Sequence, residues 1–169
     1  DRCLSRGLGD VYKRQGAASN MILLSDFIIA TPETRFIEVF ARRGLVVDFS
    51  GSWILPRIIG VQKAKELMMT ATEISGTKLN DYGVLYKLVE KPDLDTELDN
   101  LVNLLDEQSF ISICMIKDQI RKGLNTNFDE SLSNETDNQN SRFVHSDVME
   151  GMSAFIEKRQ PEYQNTLDE

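Results

Sequence analysis

Two stretches of the sequence hold residues whose types and spacing could do chemistry. The first is GAASNMILLSDF, residues 16–27, in which Gly16, Ala17 and Ala18 lead into the apolar Met21, Leu23 and Leu24. Small residues at a helix start let a ligand approach backbone N–H groups that have no carbonyl partner within the helix, and such groups favour negative charge. An ordinary helix start packed by small residues gives the same pattern. The second is RRGLVVDFSGSW, residues 42–53, where Leu45-Val46-Val47 ends on a single carboxylate, Asp48, ahead of a Ser/Gly turn and the only tryptophan. A carboxylate in an apolar setting is a stronger base and a candidate proton carrier. Val46, Val47, Phe49 and Trp53 could supply that setting. A turn or N-cap aspartate ahead of Ser50-Gly51 is the other reading.

Further candidates are sparser. His145, the only histidine, lies in a polar stretch without a partner motif and is expected at the surface. Arg42 and Arg43 could meet phosphates, a subunit or only solvent. Cys3 and Cys114 supply neither a disulfide framework nor metal-ligand spacing, and Cys114 reads as a small buried hydrophobe within a helix. A formal net charge of -8 argues against non-specific nucleic-acid binding, which wants a basic face. The longest apolar run, Met21 to Ala30, is broken by Ser25 and Asp26 and is too short to span a bilayer.

These residues need a scaffold, and 169 residues with 41% hydrophobic content suffice for one ordinary domain. Residues 1–15, DRCLSRGLGDVYKRQ, show no periodicity and resemble an adapter or vector-like leader of non-native origin. Its four cations against two acids leave the remainder more acidic still. FIIAT before Pro32 and TRFIEV read as short strands, and LYKLV (85–89) as another. Trp53 to Ile59 reads as a short apolar element broken by Pro56, Val61 to Thr70 as a helix, and Ser75 as the cap of a further short one. The second half reads as helical. Leu98, Leu101, Val102 and Leu105 share one face, Ile113, Ile116 and Ile120 another, and Lys122-Gly123 is a stop signal. Asn125 to Asp147 is polar and Asn-rich and reads largely as loop. Asp147 with Glu150 opens a last helix through Phe155.

In order, the chain carries the small-residue turn, SDFIIAT, RF, GLVVDFSGS, LPRIIG, AKEL, IS, YGV, LV and, at residues 150–161, EGMSAFIEKRQP. This series resembles the enoyl-CoA hydratase/isomerase (crotonase) superfamily from Gly16 to about Tyr163. The resemblance is nearest to enoyl-CoA isomerases and ring-1,2-epoxyphenylacetyl-CoA isomerases. It implies an α/β fold: the C-terminal part of a crotonase-like ββα spiral in residues 16–92, then a helical C-terminal and oligomerisation region in 93–169. The N-terminal half, with the first oxyanion-hole residue and much of the CoA contact surface, would be missing, and the chain alone would be inactive.

The resemblance also implies roles. Members polarise an acyl-CoA thioester with two backbone N–H groups, and the second would be that of Ala17. Hydratases position water with two glutamates, one after the glycine turn and one after the R/Q-F strand. Asn20 and Phe40 stand there, and neither can transfer a proton. Asp48 matches the acid that isomerase-type members use as their base, and moving a double bond needs one base. Phe155 and Lys158 match positions that touch the CoA adenine region, often of a neighbouring subunit. The expected function is therefore an enoyl-CoA isomerase with an acyl-CoA substrate, no separate cofactor and no metal. Its expected setting is a cytoplasmic homotrimer or hexamer with no nucleic-acid or membrane partner. Atypical hydration and a non-catalytic acyl-CoA-binding subunit are the alternatives.

Overall fold

The computed structural model of the protein describes residues 14–164, with the backbone alone at Arg14 and Gln15. Most of the leader, residues 1–13, and Cys3 with it, lies outside the described residues. The chain divides into two compact units, Asp1–Leu98 and Asp99–Glu169.

The first unit mixes short strands with helices. In it β1 (Arg14–Gln15) pairs parallel with β3 (Arg35–Ile37), and β3 pairs antiparallel with β4 (Glu73–Ser75), Phe36 standing opposite Ile74. A second, two-stranded ladder joins β2 (Ile29–Ala30) to β5 (Lys87–Leu88) in parallel. Between them run α1 (Ala17–Leu23), α2 (Gly51–Ile59), α3 (Val61–Thr70) and α4 (Gly76–Asp81). Their apolar faces meet in one core of Leu23, Phe36, Leu55, Ile59, Ala64, Leu67 and Leu79. Leu55 and Ile59, one turn apart, give α2 its buried stripe. Pro56 therefore does not break this element as its sequence suggests. The helix runs through it and ends when Gly60 N–H reaches the Pro56 carbonyl at 3.1 Å. Trp53 is half-buried, with the Arg57 guanidinium 3.9 Å above its ring. Gly76 is packed so closely that an added Cβ would fall 1.9 Å from the Thr31 carbonyl oxygen. Ser75 caps α4 by accepting from Lys78 N–H at 3.3 Å.

The second unit is helical. It holds most of α5 (Leu94–Asp106), then α6 (Phe110–Gly123), α7 (Phe128–Arg142) and α8 (Ser146–Glu157). The polar stretch read as loop is α7, fifteen residues long. Its ends explain the difference. Asn127 accepts from Glu130 N–H at 3.0 Å, Asp129 and Glu130 fill the first turn, and Arg142 closes the last. A side-chain cap and charges opposed to the helix dipole stabilise a helix that has little apolar face. Cys114 is half-buried in α6, less enclosed than its reading as a small buried hydrophobe implies. Among the described residues no helix is long and apolar enough to cross a membrane.

Candidate functional site

The residues singled out in the first unit come together where α1 begins. Gly16 takes φ 58° and donates its N–H to the Ile37 carbonyl at 3.0 Å, tying the start of α1 to the end of β3. Ala17 follows as the first residue of α1, so its own N–H has no carbonyl one turn back within the helix. Phe40, 6% exposed, packs on this turn; a Cβ on Gly16 would lie 3.3 Å from its Cζ. The position that resembles the second hydratase acid is thus filled by a ring that walls the turn.

One helical turn beyond Ala17, Asn20 is fully buried and bridges two acidic residues. Its Nδ2 donates to the backbone carbonyl of Asp48 at 3.0 Å and to Oε2 of Glu38 at 3.4 Å. A carbonyl can only accept, so the amide nitrogen must face Asp48. The same carbonyl accepts from Gly51 N–H at 3.0 Å, closing a four-residue turn from Asp48 into α2. Phe49 at φ 47° and Ser50 at φ 60° occupy its centre in the left-handed region, which residues with side chains avoid.

Asp48 itself is exposed, and so are Val46 and Phe49, while Val47 and Trp53 are half-buried. The apolar enclosure expected from the neighbouring residue types is not formed by them. Sequence says that a side chain is oily, not that anything covers it.

Glu38 was not singled out by sequence reasoning, yet it is fully buried, and its Oε1 has no hydrogen-bond partner. Its carboxyl is pushed up from the ordinary 4.5 to about 7. Burial is the main cause, the Asn20 bond opposes it, and the charge of Asp48 adds to it. The signal was present in the sequence, because Glu38 is the one acid in the otherwise apolar run Phe36-Ile37-Glu38-Val39-Phe40, all five of which are buried. Arg42 does not sit free for a phosphate. It donates to the Ala71 carbonyl, beyond the C-terminal end of α3, at 2.8 Å.

In the second unit, Phe155 is 82% exposed on α8, and Lys158, also exposed, follows as its C-cap at φ 55°. His145, expected at the surface, is instead half-buried and caps α8, its Nδ1 accepting from Asp147 N–H at 3.2 Å. Asp147 is not the cap; its carboxylate is buried and accepts from Ser109 Oγ at 2.5 Å and from Arg142 at 3.3 Å. Serine, aspartate and histidine are thus neighbours, but Ser109 donates to the acid and not to the imidazole, so the serine is not activated as a nucleophile. Among the described residues no three His, Cys, Asp or Glu gather to hold a metal ion.

A family model described as enoyl-CoA hydratase/isomerase matches residues 13–166. Over 148 residues the chain is 34% identical to the trans-2-decenoyl-(acyl-carrier-protein) isomerase of Streptococcus mutans, covering 88% of this chain and 56% of that protein. It is 29% identical, over the same shares, to the 1,2-epoxyphenylacetyl-CoA isomerase of Escherichia coli. Among solved structures, an enoyl-CoA hydratase from Polaromonas sp. JS666 superposes with a TM-score of 0.85 at 29% identity, over 89% of this chain and 59% of that one. The chain spans little more than half the length of these relatives.

Proposed function

The chain belongs to the enoyl-CoA hydratase/isomerase family, and from that premise we propose that the full-length protein is an enoyl-CoA isomerase with Asp48 as its single acid/base. Its architecture is part of the crotonase-like α/β fold. The observation that supports isomerisation is the occupancy of the two positions resembling the hydratase acids. Asn20 is engaged as a donor to the Asp48 turn, and Phe40 is packed on Gly16. Neither can exchange a proton with water. Two of the relatives are named isomerases, which points the same way.

In this reading Asp48 removes a proton from C2 of a 3-enoyl-CoA. The electron pair moves toward the thioester oxygen, where the Ala17 N–H and a second donor outside this chain stabilise the enolate. Each such donor lowers the barrier by roughly 3 to 4 kcal/mol. The electron pair then returns through the conjugated system, and Asp48 delivers a proton to C4. One carboxyl accepts and gives the proton, so no second acid is needed. Phe155 and Lys158 supply an apolar plate and a flexible cation for the adenine and phosphates of a CoA held by a neighbouring subunit. With one oxyanion donor absent, these 169 residues alone turn over little or no substrate.

Hydration is the second reading, favoured by the presence of Glu38 as another carboxyl near Asp48. The full burial of Glu38 counts against its reaching a substrate water. The test is the product mass from a 3-enoyl-CoA and from a 2-enoyl-CoA with full-length protein. Isomerisation leaves the mass unchanged, whereas a product heavier by one water means hydration. Binding of acyl-CoA with no product from either substrate favours the non-catalytic subunit.

A further inference from the structure

Glu38 has no part in the reaction as drawn, yet it lies fully buried behind the turn on which that reaction depends. The Asn20 amide is wedged between the Glu38 carboxyl and this turn. Its nitrogen reaches both sides, and a Cβ on Gly51 would fall 2.3 to 2.5 Å from the amide atoms. Phe49 and Ser50 both hold left-handed backbone in that turn, a conformation that persists only where the surroundings fix it. The contacts that fix the Asp48 carbonyl are those from Gly51 N–H and Asn20.

We propose that Glu38 is a positioning residue for the isomerisation: through the Asn20 amide its carboxyl braces the Asp48 turn, and it does so most firmly when ionised. This rests on Asp48 being the base. The direction follows from reciprocity. The Asn20 bond favours the charged carboxylate, so the charged carboxylate holds Asn20 more tightly than the neutral acid does. A firmer brace raises the rate when Glu38 loses its proton. The groups acting on Glu38 are Asn20 from α1 and Asp48 from the turn, while Arg42 of the preceding helical turn is engaged with the Ala71 carbonyl. Burial sets the change near neutrality, its carboxyl being pushed up to about 7.

The test compares wild type with Glu38→Gln and Glu38→Ala in the full-length protein, on a 3-enoyl-CoA. Wild-type kcat is expected to rise severalfold between about pH 6 and pH 8, approaching about tenfold for each pKa unit of coupling. Glu38→Gln keeps an acceptor for Asn20 but cannot ionise, so it stays active and its profile is flat across that window. Glu38→Ala leaves Asn20 without that acceptor and lowers kcat with little change in KM. A second readout does not need catalysis: hydrogen exchange of the Phe49 to Trp53 amides, as a ratio of wild type to Glu38→Gln. That ratio is expected to be near one below about pH 6 and to show slower exchange in wild type above about pH 8. A ratio that stays constant across the window overturns the brace, as does a wild-type rate profile superimposable on that of Glu38→Gln. If wild type isomerises nothing, the base assignment has failed, and the exchange ratio still decides whether Glu38 braces the turn. If Glu38→Ala does not fold, Glu38→Gln carries both comparisons.

Discussion

Replacing Glu38 by glutamine should make the protein more stable at alkaline pH and leave it unchanged in acid. The side chain is fully buried, and its carboxyl is raised from 4.5 to about 7, burial being the first cause. Between these values the folded protein keeps a proton that the unfolded chain has released. The stability that this proton contributes is complete below 4.5 and is lost as the pH rises through about 7, after which it stays constant. At 1.36 kcal/mol per pKa unit, the displacement corresponds to about 3 kcal/mol. Glutamine has nearly the same shape, can still accept from Asn20 and never ionises. Urea unfolding of wild type and Glu38→Gln is expected to give equal stabilities near about pH 4.5 and a gap of about 3 kcal/mol in favour of the variant by about pH 8. Parallel stability curves, offset by the same amount at every pH, would refute the reasoning, because they would mean that Glu38 titrates alike in both states. The variant trades catalysis for stability, since the charge that destabilises the fold is the one that braces the Asp48 turn.

Three further substitutions test the architecture around the site. Ser50→Gly relieves the left-handed φ of 60° at a residue whose side chain makes no capping bond, so unfolding experiments should find a gain of up to about 1 kcal/mol. Asn127→Ala removes the cap that holds the polar α7 and should cost about 1 kcal/mol, with a loss of helical circular dichroism. Gly76→Ala drives a Cβ into the Thr31 carbonyl and should destabilise by more than about 2 kcal/mol, read as a lowered unfolding midpoint.

What the sequence disclosed and what it hid divide along physical lines. Helix α3 was legible because Ala64 and Leu67 repeat at helical spacing. Helix α6 was legible because its isoleucines do likewise and Gly123 ends it. Helix α7 was not, because its stability comes from the Asn127 cap and end charges, which leave no hydrophobic period. Strand β4 was missed because three residues carry no pattern of their own, and its identity comes from pairing with β3. Asp48, Asn20 and Phe40 could be picked out by their place in a motif, and the structure brings Asp48 and Asn20 into contact. Glu38 was overlooked because its meaning lies in partners 18 residues away in α1 and beyond β3 in the Asp48 turn. The apolar setting expected for Asp48 shows the reverse error: residue types were read as burial, and Val46 is 86% exposed.

The identity of the base is tested most directly by the rate of double-bond migration in a 3-enoyl-CoA, measured for full-length wild type beside Asp48→Asn. Asparagine preserves the backbone carbonyl that Asn20 and Gly51 hold, so the turn should survive. The side chain can no longer take a proton, and the rate is expected to fall by about 100-fold to 10,000-fold with KM nearly unchanged. An Asp48→Asn protein that isomerises as fast as wild type would show that another group moves the proton.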